Sequence, residues 1–151
     1  MATLSLPTAN GKTERYTTGE PIVFKRGTQP RFNRVAYAAA HVVANPLADV
    51  DPWLDTAIDW DKTIAFRHYL WDLGLGVAEA MDTAQRGGGL DWPAAKELIR
   101  RALAAAKSRP GVKIACGVGT DHLAPGANVK IDDIIRAYEE QVEAVEAMGG
   151  Q

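Results

Sequence analysis

Three short apolar segments of the chain are each followed by side chains that can transfer protons or bind small polar molecules. His41 comes after "RVAYAAA", Glu79 and Asp82 come after or at the end of "LGVAEA", and Asp121 with His122 follows "VKIACGVGT". If these segments are parallel strands, their carboxyl ends meet at one edge of a sheet, where such folds place binding sites. We therefore expect His41, Glu79 and Asp82 to be catalytic acid–base groups. Arg86, Cys116 and Thr120 lie near the same predicted edge.

Each of these residues also has a purely structural interpretation. His41 could be a hydrogen-bonded core histidine, and His122 a surface loop residue. Glu79 would be unfavourable to bury without a cation, so a pairing with Arg86 competes with a catalytic role. Asp82 and Asp121 could cap turns, because aspartate readily accepts from the backbone that follows it. Cys116, the single cysteine, is expected to be a packing residue.

A divalent metal is the alternative cofactor, although we expect none. Imidazole and carboxylate groups together could bind such an ion and polarise a hydroxy-ketone, as in sugar isomerases and epimerases. The spacing of the four possible ligands matches no compact metal-binding motif: His41, Glu79, Asp82 and His122.

The elements that must position these side chains are predicted to alternate between strand and helix. Buried strands are predicted in "RVAYAAAHVV", "LGVAEA" and "VKIACG", and helices after Asp59, after Asp91 and from about Ile131. The second helix has one apolar stripe, formed by Ala95, Leu98, Ile99, Ala102, Leu103 and Ala106, and the third has another, formed by Ile131, Ile134, Ile135, Tyr138, Val142 and Val145. This order predicts right-handed βαβ units and a parallel sheet.

The residues before this pattern form a separate appendage. Asn10 and Gly11 favour a tight turn between two short strands, so residues 1–33 are predicted to be a β-hairpin and a connector, and residues 34–151 the α/β domain. Seventeen basic residues against 19 acidic ones leave no positive excess for nucleic acid. The sequence shows neither an export signal nor an apolar run long enough for a membrane span, so we expect a cytoplasmic protein without a membrane partner.

Three longer strings of the chain are "RVAYAAAHVVANPLADVDPWLD", "GVAEAMDTAQRG" and "IACGVGTD". They resemble the dihydrodipicolinate synthase-like and N-acetylneuraminate lyase-like aldolases, and among these an uncharacterised bacterial branch labelled domain of unknown function 993. The resemblance implies that the chain is the first three βα units of a (β/α)8 TIM barrel, preceded by the hairpin. It also implies a small oxo acid or sugar-derived acid as substrate.

The same resemblance implies a set of substrate-binding residues. In "MDTAQRG", Thr83 stands at the first of two positions where the aldolases have threonine and Ala84 stands at the second, while Gln85 and Arg86 replace the usual Gly and Glu. "GVGTD" is similar to a glycine-rich turn of the family. The implied substrate-binding set is Thr83, Gln85, Arg86, Gly117, Gly119, Thr120 and Asp121.

The imine-forming lysine of those aldolases lies on a later strand and has no counterpart here. We therefore expect the N-terminal part of a barrel lyase or aldolase, incomplete and inactive by itself, with the remaining strands or a second copy as its partner. Two alternatives stay open. One is the metal-dependent isomerase or epimerase, and the other is a non-catalytic fragment or half-barrel that oligomerises.

Overall fold

The structure is a computed structural model that describes residues 1–23, 33–81, 86 and 89–150. Within those ranges it contains three helices and two small sheets, which confirms a mixed α/β chain with an N-terminal hairpin. The elements in chain order are β1 (Thr3–Pro7), β2 (Thr13–Thr17), β3 (Tyr37–Ala39), α1 (Trp60–Asp72), β4 (Gly76–Glu79), α2 (Trp92–Lys107), β5 (Ile114–Cys116) and α3 (Ile131–Ala147).

The hairpin forms where the Asn10–Gly11 pair predicts it. Strands β1 and β2 pair antiparallel from Thr3 opposite Thr17 to Pro7 opposite Thr13. Gly11 has a φ of 73°, a left-handed conformation that glycine adopts without steric penalty, and this allows the turn. All ten strand residues are exposed.

The second sheet is parallel and has the strand order β3-β4-β5. Its register places Ala38, Val77 and Ile114 in one row, and this row packs in an apolar cluster with residues of α1 and α2, including Leu70 and Trp71. Because side chains alternate along a strand, the next row points to the opposite face of the sheet. That row consists of Ala39, Ala78 and Ala115.

The first two helices begin and end as their sequences predict. The side chain of Asp59 accepts a hydrogen bond from the Lys62 amide at 3.0 Å, and that of Asp91 accepts one from the Ala94 amide at 2.9 Å. Gly74, with a φ of 80°, follows the last turn of α1. The predicted apolar stripe of α2 forms the core: Ala95, Leu98, Ile99, Ala102 and Leu103 are all buried.

The predicted first strand is shorter than the apolar segment that suggested it. Only Tyr37–Ala39 of "RVAYAAAHVV" is a strand, and both Tyr37 and Ala39 are exposed. The reason is visible at its end, where the Arg67 side chain donates to the carbonyl oxygens of Ala40 and His41. A side chain thus replaces the neighbouring strand as the partner of this backbone.

Helix α3 packs through a different face from the one that its apolar stripe suggests. Five of the six stripe residues are exposed, and Val145 alone is buried. The buried face consists of Ala137, Gln141 and Val145. The small Ala137 permits close approach, and the Gln141 amide bonds to the loop after β5, as described below.

Candidate functional site

A fully buried ion pair lies where β4 ends. Arg67 of α1 donates from Nε to Glu79 Oε2 at 2.8 Å and from a terminal nitrogen to Glu79 Oε1 at 2.7 Å, and both side chains have zero exposure. This two-pronged geometry is the strongest that an arginine and a carboxylate form. Glu79 therefore pairs with Arg67, whereas a pairing with Arg86 was the structural alternative that the sequence suggested.

Arg67 also fixes the chain as it leaves β3. Its terminal nitrogens donate to the carbonyl oxygens of His41 at 2.6 Å, Ala40 at 2.9 Å and Thr63 at 3.0 Å. All five guanidinium donors are thus engaged by acceptors of the protein. The ion pair links α1, the end of β3 and the end of β4, and it sets the backbone from which the His41 side chain projects.

Sequence reasoning did not identify Arg67, although a signal for it exists. The buried residues of α1 are Thr63, Arg67, Leu70 and Trp71, which follow the i, i+4, i+7, i+8 spacing of a buried face. An arginine inside such a stripe needs a buried acid. Glu79, at the end of an apolar strand, is the acid that meets this need.

The chain leaves β4 in an unusual backbone conformation. Ala80 has a φ of 52° and is buried, and its amide donates to Glu79 Oε1 at 3.1 Å. Left-handed geometry at a residue other than glycine costs about 1–2 kcal/mol. The Glu79 carboxylate thus holds both Arg67 and the bend that turns the chain away from the sheet.

A second polar network joins the loops after β4 and β5 to α3. Arg86 forms an ion pair with Asp121, and it donates to the Gly117 carbonyl at 2.9 Å and to Gln141 Oε1 at 2.5 Å. The same Gln141 oxygen accepts from the Gly119 amide at 2.7 Å. The Arg86 guanidinium also lies 5.3 Å from the centre of the Trp92 ring, within range of a cation–π attraction.

Gln141 organises this network through its amide nitrogen as well. That nitrogen is 3.0 Å from Asp121 Oδ1 and 2.8 Å from His122 Nδ1. Because an amide nitrogen can only donate, His122 accepts at Nδ1 and carries its proton on Nε2, which lies 3.2 Å from a carboxylate oxygen of Glu140. Gln141 is fully buried, and no sequence pattern singled it out. Its i±4 spacing to Ala137 and Val145 is the signal that could have done so.

The electrostatics of the network favour the ionised form of Asp121. Partial burial opposes the charge, but hydrogen bonds from Arg86 and Gln141 outweigh it, so the pKa of Asp121 lies below its ordinary value. The carboxylate is therefore charged in the neutral pH range. It acts as an anchor for Arg86.

A cavity of about 530 Å³ opens beside the end of β3. The loop between β3 and α1 forms most of its wall, because an antiparallel bridge between Ala44 and Ile58 folds this loop back on itself. Gly89 and Leu90, from the loop after β4, close another side. The polar lining residues include His41, Asn45, Asp55 and Thr56. The Thr56 hydroxyl donates to the Gly89 carbonyl at 2.6 Å and so connects the two loops.

A family model described as "Protein of unknown function (DUF993)" matches residues 4–151. The chain belongs to the DUF993 family. None of the curated proteins matches it. In the described ranges of this DUF993 chain, no helix is both long and apolar enough to cross a membrane.

The structure distributes the predicted site residues of the DUF993 chain over three places. His41 lines the cavity, Glu79 lies in the buried ion pair, and Arg86 with Asp121 lies in the Gln141 network. The glycine-rich turn meets that network, since the Gly117 carbonyl accepts from Arg86 at 2.9 Å and the Gly119 amide donates to Gln141 Oε1 at 2.7 Å. Thr120 is half-buried and its carbonyl accepts from the Leu123 amide at 2.9 Å. Asp82, Thr83 and Gln85 lie outside the described residues.

The described residues also include most of the side chains on which metal binding or imine chemistry would depend. Among the described residues, no three His, Cys, Asp or Glu side chains lie together in a group that could hold a metal ion. Of the four possible ligands, Asp82 lies outside the described residues. Every lysine within the described ranges is exposed, whereas an imine-forming lysine needs a desolvated environment. These lysines are Lys12, Lys62, Lys96, Lys107, Lys113 and Lys130.

Proposed function

We propose that this DUF993 chain provides the substrate-binding wall of a barrel lyase or aldolase that acts on a small oxo acid or sugar-derived acid. The observation that carries the proposal is the cavity of about 530 Å³ at the carboxyl end of β3, with His41 in its lining. Its size is within the range of about 300–1,000 Å³ that small-molecule sites occupy. Parallel α/β folds bind their ligands at this end of the strands.

The arrangement of the sheet supports the barrel part of the proposal. Three parallel strands follow one another in chain order, each followed by a helix. Buried residues of α1, α2 and α3 belong to apolar clusters that also contain the strand residues Val77 or Cys116. A (β/α)8 barrel is built from units of this kind, with helices on one sheet face and the barrel interior on the other. Ala39, Ala78 and Ala115 would then face the interior.

The cavity offers groups suited to a hydroxylated oxo acid. Asp55 can accept hydrogen bonds from substrate hydroxyls, and imidazole is the side chain that exchanges protons most readily near neutral pH. In an aldol cleavage, a base takes the proton of the substrate hydroxyl while the carbon–carbon bond breaks and its electron pair passes to the oxo group. We assign the base role to His41. In this assignment Glu79 acts through Arg67 on the His41 backbone and does not contact the substrate.

Binding to the 151-residue chain tests the proposal directly. Amide NMR spectra of the ¹⁵N-labelled chain are recorded with pyruvate, a 4-hydroxy-2-oxo acid or gluconate, each at about 10 mM, which is enough to occupy even a millimolar site. We expect shifts at His41, Thr56 and Gly89. Glycerol and acetate serve as controls that lack the combination of acid and oxo or hydroxyl groups.

Variants connect binding to the assigned group. His41→Phe fills the space of the imidazole without exchanging a proton, and His68→Phe is the matched control on α1. We expect the first to remove the shifts and the second to retain them. Cleavage of the 4-hydroxy-2-oxo acid is followed as pyruvate release, with and without added manganese or zinc. If none of the acids shifts the cavity amides, the proposal is wrong. Pyruvate release only with added manganese or zinc would indicate a metal-assisted cleavage.

A further inference from the structure

Helix α3 presents an apolar surface that the described part of the chain leaves exposed. Its residues are Ile131, Ile134, Ile135, Tyr138 and Val142, which we name the α3 stripe, and their exposed fractions range from 39% to 75%. Their spacing of three and four residues places them along one side of the helix. The stripe is distinct from the buried face of α3, which is made by Ala137, Gln141 and Val145.

One border of the α3 stripe is acidic along its whole length. At about 100° per residue, Asp132, Glu139, Glu143 and Glu146 fall beside the stripe on the side away from the core, and all four are exposed. The only basic residue of the helix, Arg136, is already paired with Asp133. No cation of α3 itself therefore offsets this acidic border.

A shallow cavity lies where the α3 stripe meets its acidic border. It has a volume of about 410 Å³ and is lined by Ile135, Tyr138 and Val142 together with Glu139 and Glu143. An apolar depression with carboxylates on its border matches a helix that carries aliphatic side chains on one face and lysines or arginines beside them. The complementary charges would orient such a helix and exclude acidic ones.

We propose that the α3 stripe is a docking site for an amphipathic, basic helix of a partner protein. A second copy of this chain fits the surface less well. Two α3 helices placed face to face would bring their acidic borders together if antiparallel, and if parallel would offer neither border a cation, because Arg136 already pairs with Asp133. The inference does not depend on the proposed enzymatic function. The α3 stripe contributes no residue to the cavity that His41 lines.

The test uses three synthetic peptides of equal length. The first has leucines at helical spacing with lysines beside them, the second replaces those lysines by glutamates, and the third scrambles the first. Binding to the whole chain is measured by calorimetry and by ¹⁵N NMR. We expect the lysine peptide to bind at least about tenfold more tightly than either of the others, because it alone matches both the apolar stripe and the acidic border. Its shifts should cover residues 131–145.

Charge-reversal variants make the test specific. Glu139→Lys/Glu143→Lys should weaken the lysine peptide about tenfold and strengthen the glutamate peptide, while Glu14→Lys/Asp61→Lys, with the same change in net charge at exposed sites elsewhere, should leave both affinities unchanged. Equal affinity for the lysine and glutamate peptides would overturn the proposal. So would sedimentation showing a dimer that Val142→Asp dissociates, because the occupant would then be a second copy.

Discussion

The ion pair between Arg67 and Glu79 gives the sharpest prediction for the stability of the fold. Glu79→Gln keeps the shape of the side chain but leaves a guanidinium with zero exposure and no counter-charge. Removal of one partner of a buried pair costs about 3–5 kcal/mol. Because a domain of this size is stable by only about 5–15 kcal/mol, this substitution should remove a large part of the free energy of unfolding.

Arg67→Met should be at least as destabilising, for a second reason. Besides the Glu79 carboxylate, it leaves the carbonyl oxygens of Ala40 and His41 without the donor that they share. A hydrogen bond from a charged donor contributes about 1.5–3 kcal/mol. The double variant Arg67→Met/Glu79→Gln has no unpaired charge. It should therefore lose less than the sum of the single losses, with a coupling energy of about 2–3 kcal/mol.

Urea unfolding followed by circular dichroism and tryptophan fluorescence measures these losses, since Trp71 is buried in the same helix. The control is Glu97→Gln/Arg100→Met on α2, where the pair is partly exposed and should contribute little. A loss of less than about 1 kcal/mol for Glu79→Gln would refute the reasoning, because a buried arginine could then exist without its acid. Additive single and double losses would refute it as well.

Two further predictions concern the loop after β5. Gly117→Ala should destabilise the fold by about 1–3 kcal/mol in urea unfolding, because the added carbon would lie 2.6 Å from the Ala80 carbonyl oxygen; Gly119→Ala, whose nearest neighbour would be 3.4 Å away, is the milder control. The lowered pKa of Asp121 stabilises the fold above the ordinary carboxyl pKa, and this contribution is lost as the pH falls through the lowered value. The difference in stability between the wild type and Asp121→Asn should therefore be constant above about pH 5 and decrease below it; unfolding curves that differ equally at every pH would contradict this.

Local signals in the sequence predict much of the fold. The N-terminal hairpin, the caps Asp59 and Asp91 and the buried stripe of α2 are all confirmed, because each depends on residues only a few positions apart. Local signals do not indicate which neighbour an apolar face meets. The α3 stripe is apolar in sequence and exposed in the structure, since Gln141 on the adjacent face has polar partners in the loop after β5 and determines how the helix packs.

The location of the candidate site could be predicted from the sequence better than the partners of its side chains. His41, Glu79, Arg86 and Asp121 all lie near the carboxyl ends of the parallel strands, but their partners come from helices that the chain reaches before or after them. Arg67 precedes Glu79 by 12 residues, and Gln141 follows Arg86 by 55. A sequence pattern indicates that a buried acid needs a cation. It does not indicate which arginine provides it, because that depends on how the helix crosses the sheet.

The partner of Glu79 determines how roles are divided within the proposed site. A carboxylate that holds Arg67 with both oxygens has no free oxygen to offer a substrate, whereas His41 lines an open cavity and has its backbone carbonyl held by the same Arg67. The buried pair and the cavity are therefore mechanically linked. A substitution at Glu79 should displace the His41 backbone as well as destabilise the chain. Any effect of a Glu79 substitution on substrate binding would therefore arise from the displaced His41 backbone and not from the loss of a proton-transfer group.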